Sequence, residues 1–291
     1  MSTLREIKRR IRSVKNIGQV TRAMEAVSAS KMRRAQDRVL ASRPYAEKSR
    51  EVLGYLAAQP AGGEAQHPLM VQRPVKKIGL ILITPDRGLA GALISNILRA
   101  ANRFIQEAEA PVELITVGRK GRDFMRKYGP PIYADFPAPP DTPPVTAITP
   151  IARVAIDAFL DGTFDQVFIC YADFVNTMRQ VPVVRQLLPI EPVPEAKLPA
   201  DFLIEPSPMA VLSELLPSQV SLLVYQAVLE SQASEHSARM VAMRNATENA
   251  EALVDDLTLT YNKARQASIT AEILDIAGGA EALRQAQEAE A

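Results

Sequence analysis

Apolar residues recur along the first 27 positions as Leu4, Ile7, Ile11, Val14, Ile17, Val20, Met24 and Val27. Steps of three and four put such residues on one face of a helix, so this spacing predicts one apolar stripe. Two successive steps of three, Val14 to Ile17 to Val20, depart from a strict heptad and predict local overwinding of a coiled coil. Helix is expected over residues 1–58, with a kink or break near Pro44. A second stripe lies near the other end: Met240, Met243, Thr247, Ala250, Val254, Leu257, Tyr261, Ala264, Ser268 and Ala271. Its small members allow close helix approach, and Glu248, Glu251, Asp255 and Asp256 fall on the outward side.

Between the two stripes the period changes. VKKIGLILIT ending at Thr84, PVELITVG from Pro111, QVFICYA from Gln166 and MRQVPVVRQLLPI from Met178 read as strands. LISNILRAANRFIQEAE, RKGRDFMRKYG and IARVAIDAFLDG read as helices between them. Alternating strands and helices predict an α/β domain with a mostly parallel sheet over 75–205. Residues 59–74 have the composition of a linker. Residues 130–150 hold eight prolines and read as a surface loop.

Proline usage sharpens this division. All 22 prolines lie between Pro44 and Pro217, and residues 218–277 contain neither proline nor glycine. These residues punctuate a chain, so both ends read as long helices, the last over 206–291. Sixty helical residues span about 90 Å, which implies an elongated protein. If the two helices pair antiparallel outward from the domain, the last overhangs by about 20 residues, or about 30 Å. An unpaired tip bearing Ile269, Ile273, Leu274 and Ile276 is unstable in water alone and calls for a surrounding partner.

Charge adds a polarity. Residues 1–50 carry 14 Lys and Arg against 4 Asp and Glu, whereas residues 230–291 carry 5 against 11. Each end therefore suits an oppositely charged neighbour. Lys8, Arg9, Arg10, Arg12 and Lys15 could follow a nucleic-acid backbone, but no aromatics interleave them and an acidic helix would lie beside them. A membrane-surface helix is disfavoured by the lack of bulky aromatics before Tyr45. No run of about 20 apolar residues occurs, and MSTLREIKRR has neither the apolar core nor the cleavage site of a secretory signal.

Chemistry is sparse. The turn Gly88-Leu-Ala-Gly91 and the tract Gly118-Arg-Lys-Gly121 each follow a strand and open a helix, where phosphate could be held. Neither matches GxGxxG or GK[ST]. They support an alternative reading, a phosphate-ligand enzyme or module using Arg119 and Lys120, with the helices as an oligomerisation stalk. His236 stands alone among Ser and Ala, Cys170 reads as an inert core thiol, and no nucleophile and base surround Tyr171 and Asp173. No metal site, cofactor site or active site is expected.

The stretches IRSVKNIGQVTRAMEAVSASKMRRAQ, DRGLAGALISNI, VGRKG and ARMVAMRNATENAEALVDDLTLTYNKARQASITAEILDIAGGAEAL resemble the gamma subunit of F-type ATP synthases, in order and over essentially the whole chain. The resemblance implies an antiparallel coiled coil with an inserted Rossmann-like α/β domain, acting as a non-catalytic rotor shaft. The implied partners are a hexamer of three alpha and three beta subunits, the epsilon subunit and the c-subunit ring, with a membrane reached only through that complex and no nucleic acid. It implies a peripheral position at the cytoplasmic face of a bacterial cell membrane. Met24, Arg239, Arg265, Gln266, Thr270 and Glu272 match the contacts to the catalytic head, with Arg239 expected to face Met24. Phe202 and Glu205 match the foot that meets the c ring. Ala90 stands where the family turn usually has cysteine, Ile17 where it usually has threonine, and the chloroplast dithiol insertion and transit peptide are absent.

Overall fold

The computed structural model describes residues 4–58, 67–190 and 208–289. The chain divides into two compact units, residues 1–25 with 243–291, and residues 26–242. Its elements are α1 (Leu4–Ala58), a 3-10 turn (Pro68–Met70), β1 (Ile78–Ile83), α2 (Leu93–Glu107), β2 (Val112–Val117), α3 (Arg119–Tyr128), β3 (Ile132–Phe136), α4 (Val145–Leu160), β4 (Gln166–Asn176), β5 (Arg179–Leu188) and α5 (Pro208–Ala289).

In the larger unit the sheet order is β3-β2-β1-β4-β5. The first four strands are parallel and β5 is antiparallel to β4. Every residue of β1 is buried, as expected of a central parallel strand covered on both faces. Alternation along β1 sorts its side chains. Ile81 and Ile83 join α4 and the Leu212–Val228 part of α5 on one face, while Leu80 and Leu82 join α2 and Met125 of α3 on the other. One window of α5 reaches a mean hydropathy of 1.2. The helix uses Leu212, Leu216, Val220, Val224 and Val228 as core.

Three expectations change here. First, α1 continues as helix through Pro44, with no break. The missing proline N–H frees the Leu40 carbonyl, which sits at an exposed position where solvent replaces the bond. Pro217 is likewise inside α5, four residues after exposed Ser213. Second, the stretch 130–150 is not all loop. It contains the edge strand β3 and the start of α4. Proline is tolerated at a strand's entry, and Pro131 O still accepts the Leu114 N–H at 2.9 Å. Third, residues 67–74 of the expected linker are anchored, because Leu69 and Met70 are buried in the core; residues 59–66 lie outside the described residues.

In the smaller unit, α1 and α5 run antiparallel. Gly18 faces Ala250, where an added Cβ would meet the Ala250 Cβ at 3.4 Å. Thr21 and Thr247 share a hydrogen bond of 2.7 Å between buried hydroxyls. Arg22 pairs with Glu251, and Arg244 Nε with Glu25 at 2.9 Å. The predicted α5 stripe is inward from Met243 to Ser268, and only Ala271 is fully outside it.

The α1 stripe is different from expectation. Ile17, Val20 and Val27 are 54–58% exposed, while Thr21 and Ser28 are buried. The inward positions are Leu4, Ile7, Ile11, Val14, Gly18, Thr21, Glu25, Ser28, Met32, Ala35 and Val39. Those steps alternate three and four throughout, so no overwinding is called for. Small and hydroxyl residues take the seam because they let the two backbones approach, and a threonine pair satisfies itself across it.

Candidate functional site

Following the pairing outward, Leu4 comes opposite the region of Ala264. Beyond Ser268 no described residue of α5 is buried, and Ile269, Ile273, Leu274 and Ile276 are 48–74% exposed. At 3.6 residues per turn, Ile269, Ile273 and Ile276 form one outward stripe. Arg265 and Glu272 lie along one side of it, Gln266 and Thr270 along the other. All four are exposed, and Glu272 Oε1 accepts from Ser268 Oγ at 3.5 Å. An apolar stripe rimmed by polar groups is the anatomy of a protein contact surface. The structure thus brings these four residues together on one arc of a single helix.

Met24 is half-buried on α1 beside the Glu25–Arg244 pair. Arg239 belongs to the other unit and is only 8% exposed. Its Nη2 donates to Glu235 Oε1 at 2.7 Å and to the carbonyls of Gly88 and Arg87 at 3.2 and 3.4 Å. The guanidinium therefore clamps the Gly88–Gly91 turn of its own chain. Phe202 and Glu205 lie outside the described residues.

The Gly118–Gly121 turn is full. At the start of α3, Gly118 N–H donates to Phe136 O, Arg119 N–H to Asp86 Oδ1, Lys120 N–H to Pro85 O and Gly121 N–H to Thr84 Oγ1, all within 2.8–3.2 Å. Arg119 Nε also faces Asp86 Oδ2 at 3.3 Å. No amide is left for a phosphate, and the helix N-terminus already has a carboxylate. At the other turn, Leu89 and Gly91 take positive φ of 63° and 56°. At the start of α3 the phosphate-module reading has no cradle, and at the Gly88–Gly91 turn the Arg87 and Gly88 carbonyls take Arg239.

Burial pushes the Cys170 thiol up to about 12, which keeps it protonated and inert. Tyr171 and Asp173 acquire a neighbour the sequence did not reveal, Glu230 of α5. Its carboxyl is raised by burial first and by the Asp173 charge second. Arg185 Nη2 holds Asp173 at 3.2 Å and its guanidinium lies 5.7 Å from the Tyr171 ring centroid. Arg185 offsets the Asp173 charge, and burial biases Glu230 toward its neutral acid beside it. Among the described residues no group of three metal-ligating side chains forms.

His236 is 4% exposed and stands 3.2 Å from Asp141 Oδ1, while Lys31 Nζ reaches Asp141 Oδ2 at 2.7 Å. Burial pushes the imidazole below its ordinary value, and Arg239 and Lys31 add to that. Glu235 and Asp141 oppose it without prevailing. Burial alone would raise Asp141, but the Lys31 hydrogen bond and the charges of His236 and Lys31 hold it low. His67 is also lowered, by burial. A depressed imidazole binds its proton in the unfolded chain before the folded one. Stability is therefore complete above about pH 6.5 and declines as pH falls through that value. Thermal melts should show the midpoint falling between about pH 7 and pH 5.5, with a shallower slope in His236→Gln. An imidazole resonance absent from His236→Gln and titrating above 6.5 in the wild type would contradict the assignment.

The family model described as ATP synthase matches residues 3–283. The ATP synthase gamma chain of Dehalococcoides mccartyi (strain CBDB1) is 54% identical over 287 residues, 97% of this chain and 100% of its own. Among solved structures, the central stalk/c-ring structure of the Tetrahymena thermophila mitochondrial ATP synthase has a chain that matches with a TM-score of 0.60 at 25% identity, over 78% of this chain and 99% of that one. A chain of the Euglena gracilis mitochondrial ATP synthase rotor matches with 0.68 at 21%, over 91% and 98%. These matches define the class as the central-stalk proteins of ATP synthases. The chain belongs to the ATP synthase gamma chain family, the non-catalytic central-stalk subunits of the F1 portion of F-type ATP synthase, a membrane complex.

Proposed function

We propose that this chain turns as a rotor shaft inside a hexamer of three alpha and three beta subunits, coupling proton flow through a c-subunit ring to ATP synthesis or hydrolysis at the beta sites. The observation that carries the reading is the bare α5 tip, where an apolar stripe rimmed by Arg265, Gln266, Thr270 and Glu272 has no other described residue over it. A helix with exposed apolar residues on that scale needs a sleeve. Exposed Ile17 and Val20 on α1 extend the same demand. The basic exposed residues Arg9, Arg10 and Arg12 suit acidic loops of a surrounding head, an attraction that salt screens.

In this reading residues 1–58 and 206–291 form the shaft and 75–205 the foot, and residues 67–74 of the expected 59–74 linker belong with the foot, where Leu69 and Met70 are core. Met24 meets the head near acidic beta-subunit loops, and Phe202 and Glu205 meet the c ring, with epsilon beside them. Arg239 is assigned to the head contacts by the resemblance; its bonds to Glu235 and the Gly88 turn make it a support for that region rather than a free cation. The machine sits at the cytoplasmic face of a bacterial membrane, as the bacterial sources of the 54%-identical relatives favour.

The test is co-expression with the alpha and beta subunits of the same source. A stable complex with one copy of this chain, and ATP hydrolysis that depends on it, is the expected result. A chain that stays free of both subunits would sink the reading.

A further inference from the structure

The rotor reading leaves the proline-rich segment between β3 and α4 without a role. Residues 137–144 include Pro137, Pro139, Pro140, Pro143 and Pro144. Those five positions have no N–H and a preset φ, so the segment is stiff and offers mainly carbonyls. Donors come from α5. Gln232 Nε2 donates to Pro139 O at 3.2 Å and Pro140 O at 2.8 Å, and Tyr225 O–H reaches Pro143 O at 3.5 Å. One turn beyond Gln232, His236 meets Asp141 Oδ1, whose other oxygen takes Lys31 of α1. Three segments far apart in sequence meet at one carboxylate, all within the larger unit.

We propose that residues 137–144 are a strap that fixes the rotational setting of α5 and α1 about their own axes in the α/β unit, so that torque passes through that unit without the helices rolling. The proposal rests on the rotor reading. Apolar contact is non-directional and lets a helix roll on a sheet at little cost, whereas hydrogen bonds hold an angle. The Lys31–Asp141 pair is half-exposed and is a weak tie alone. Gln232 is the buried hydrogen-bonded tie, 8% exposed, and His236, 4% exposed, packs 3.2 Å from Asp141 beside it. Two serines of the same α5 stretch act alike toward the sheet: Ser234 Oγ donates to Ala172 O at 3.0 Å and Ser237 Oγ to Thr177 O at 2.7 Å. The strap also reaches α1, through Lys31. A proline-rich strap has little disorder to lose, so few bonds suffice to hold it.

The test uses Gln232→Met, which keeps side-chain length without a donor, together with Asp141→Asn. The full complex, reconstituted in lipid vesicles, is read for ATP-driven proton uptake per ATP hydrolysed. The double variant should lose about threefold or more of that ratio, with hydrolysis within about twofold of wild type. In the purified full chain, amide exchange over residues 26–41 should speed about tenfold, as expected when a local tie is released. Faster exchange with an unchanged ratio would overturn the torque role and leave the strap as packing. Unchanged exchange would overturn the tie itself. A wild-type complex that hydrolyses ATP without pumping would sink the rotor reading and the torque role together, while exchange still reports the tie.

Discussion

Gly118→Ala should cost at least about 3 kcal/mol and leave little folded α/β unit at 37 °C. Gly118 ends β2 at φ +96°, a conformation that L side chains rarely adopt. An added Cβ would stand 1.9 Å from the Thr84 carbonyl oxygen, which is main chain and has nowhere to go. Thr84 is held from its other groups too, since its N–H donates to Val117 O at 2.9 Å and its Oγ1 accepts the Gly121 N–H at 2.8 Å. Relief would require pulling β1 from β2 at the centre of the sheet. Gly88→Ala is the control, because a Cβ there meets nothing within 4 Å and φ is ordinary; it should change stability by less than about 0.5 kcal/mol. Thermal unfolding followed by circular dichroism separates them. Equal midpoints for the two variants would mean that the close approach of Gly118 and Thr84 is not a constraint.

Removing residues 260–291 should abolish stable assembly with the alpha and beta subunits, whereas removing 278–291 should leave it nearly intact. The short cut takes only exposed helix, including Gly278 and Gly279, which touch nothing within 4 Å. The long cut takes the stripe Ile269, Ile273 and Ile276 with its polar rim, and contact residues of that kind cost about 2 kcal/mol or more each, so affinity should fall far more than tenfold. It also uncovers the seam near Ile7, which is 5% exposed. A third chain therefore changes only Arg265, Gln266, Thr270 and Glu272 to alanine, keeping helix and seam. If the polar rim carries the contact, that chain should lose coupled ATP synthesis by at least about tenfold, equivalent to about 1.4 kcal/mol. Full activity in the four-alanine chain, with loss only in the long truncation, would move the role from the rim to the apolar stripe.

Much of the frame was legible because its signals are local. The empty proline and glycine record of 218–277 announces a helix, and α5 covers it. The run IGLILI announces a buried parallel strand, and β1 is the centre of the sheet. The apolar tip was legible too, since helix lengths alone leave Ile269, Ile273, Leu274 and Ile276 beyond the end of α1, whereas Arg265, Gln266, Thr270 and Glu272 are singled out only by the family resemblance. The seam of α1 was not. Reading inward faces from apolarity selects Ile17, Val20 and Val27, yet close backbone approach selects Gly18, Thr21 and Ser28. The edge strand β3 was hidden by the prolines around it, because a five-residue strand between turn-forming neighbours has no period to show.

Residue spacing and punctuation determined that the ends are helices, that the middle is a β/α alternation, and that the last helix outruns the first. These depend on neighbours within a few turns, which any stretch of chain carries in itself. The tertiary structure decided which side of α1 faces α5, that Arg239 clamps the Gly88 turn, and that Asp141 joins Lys31 to His236 across some 95 to 110 residues of sequence. Such contacts depend on where separate elements come to rest. A carboxylate's partner is set by the packing of whole elements, and no local pattern encodes it.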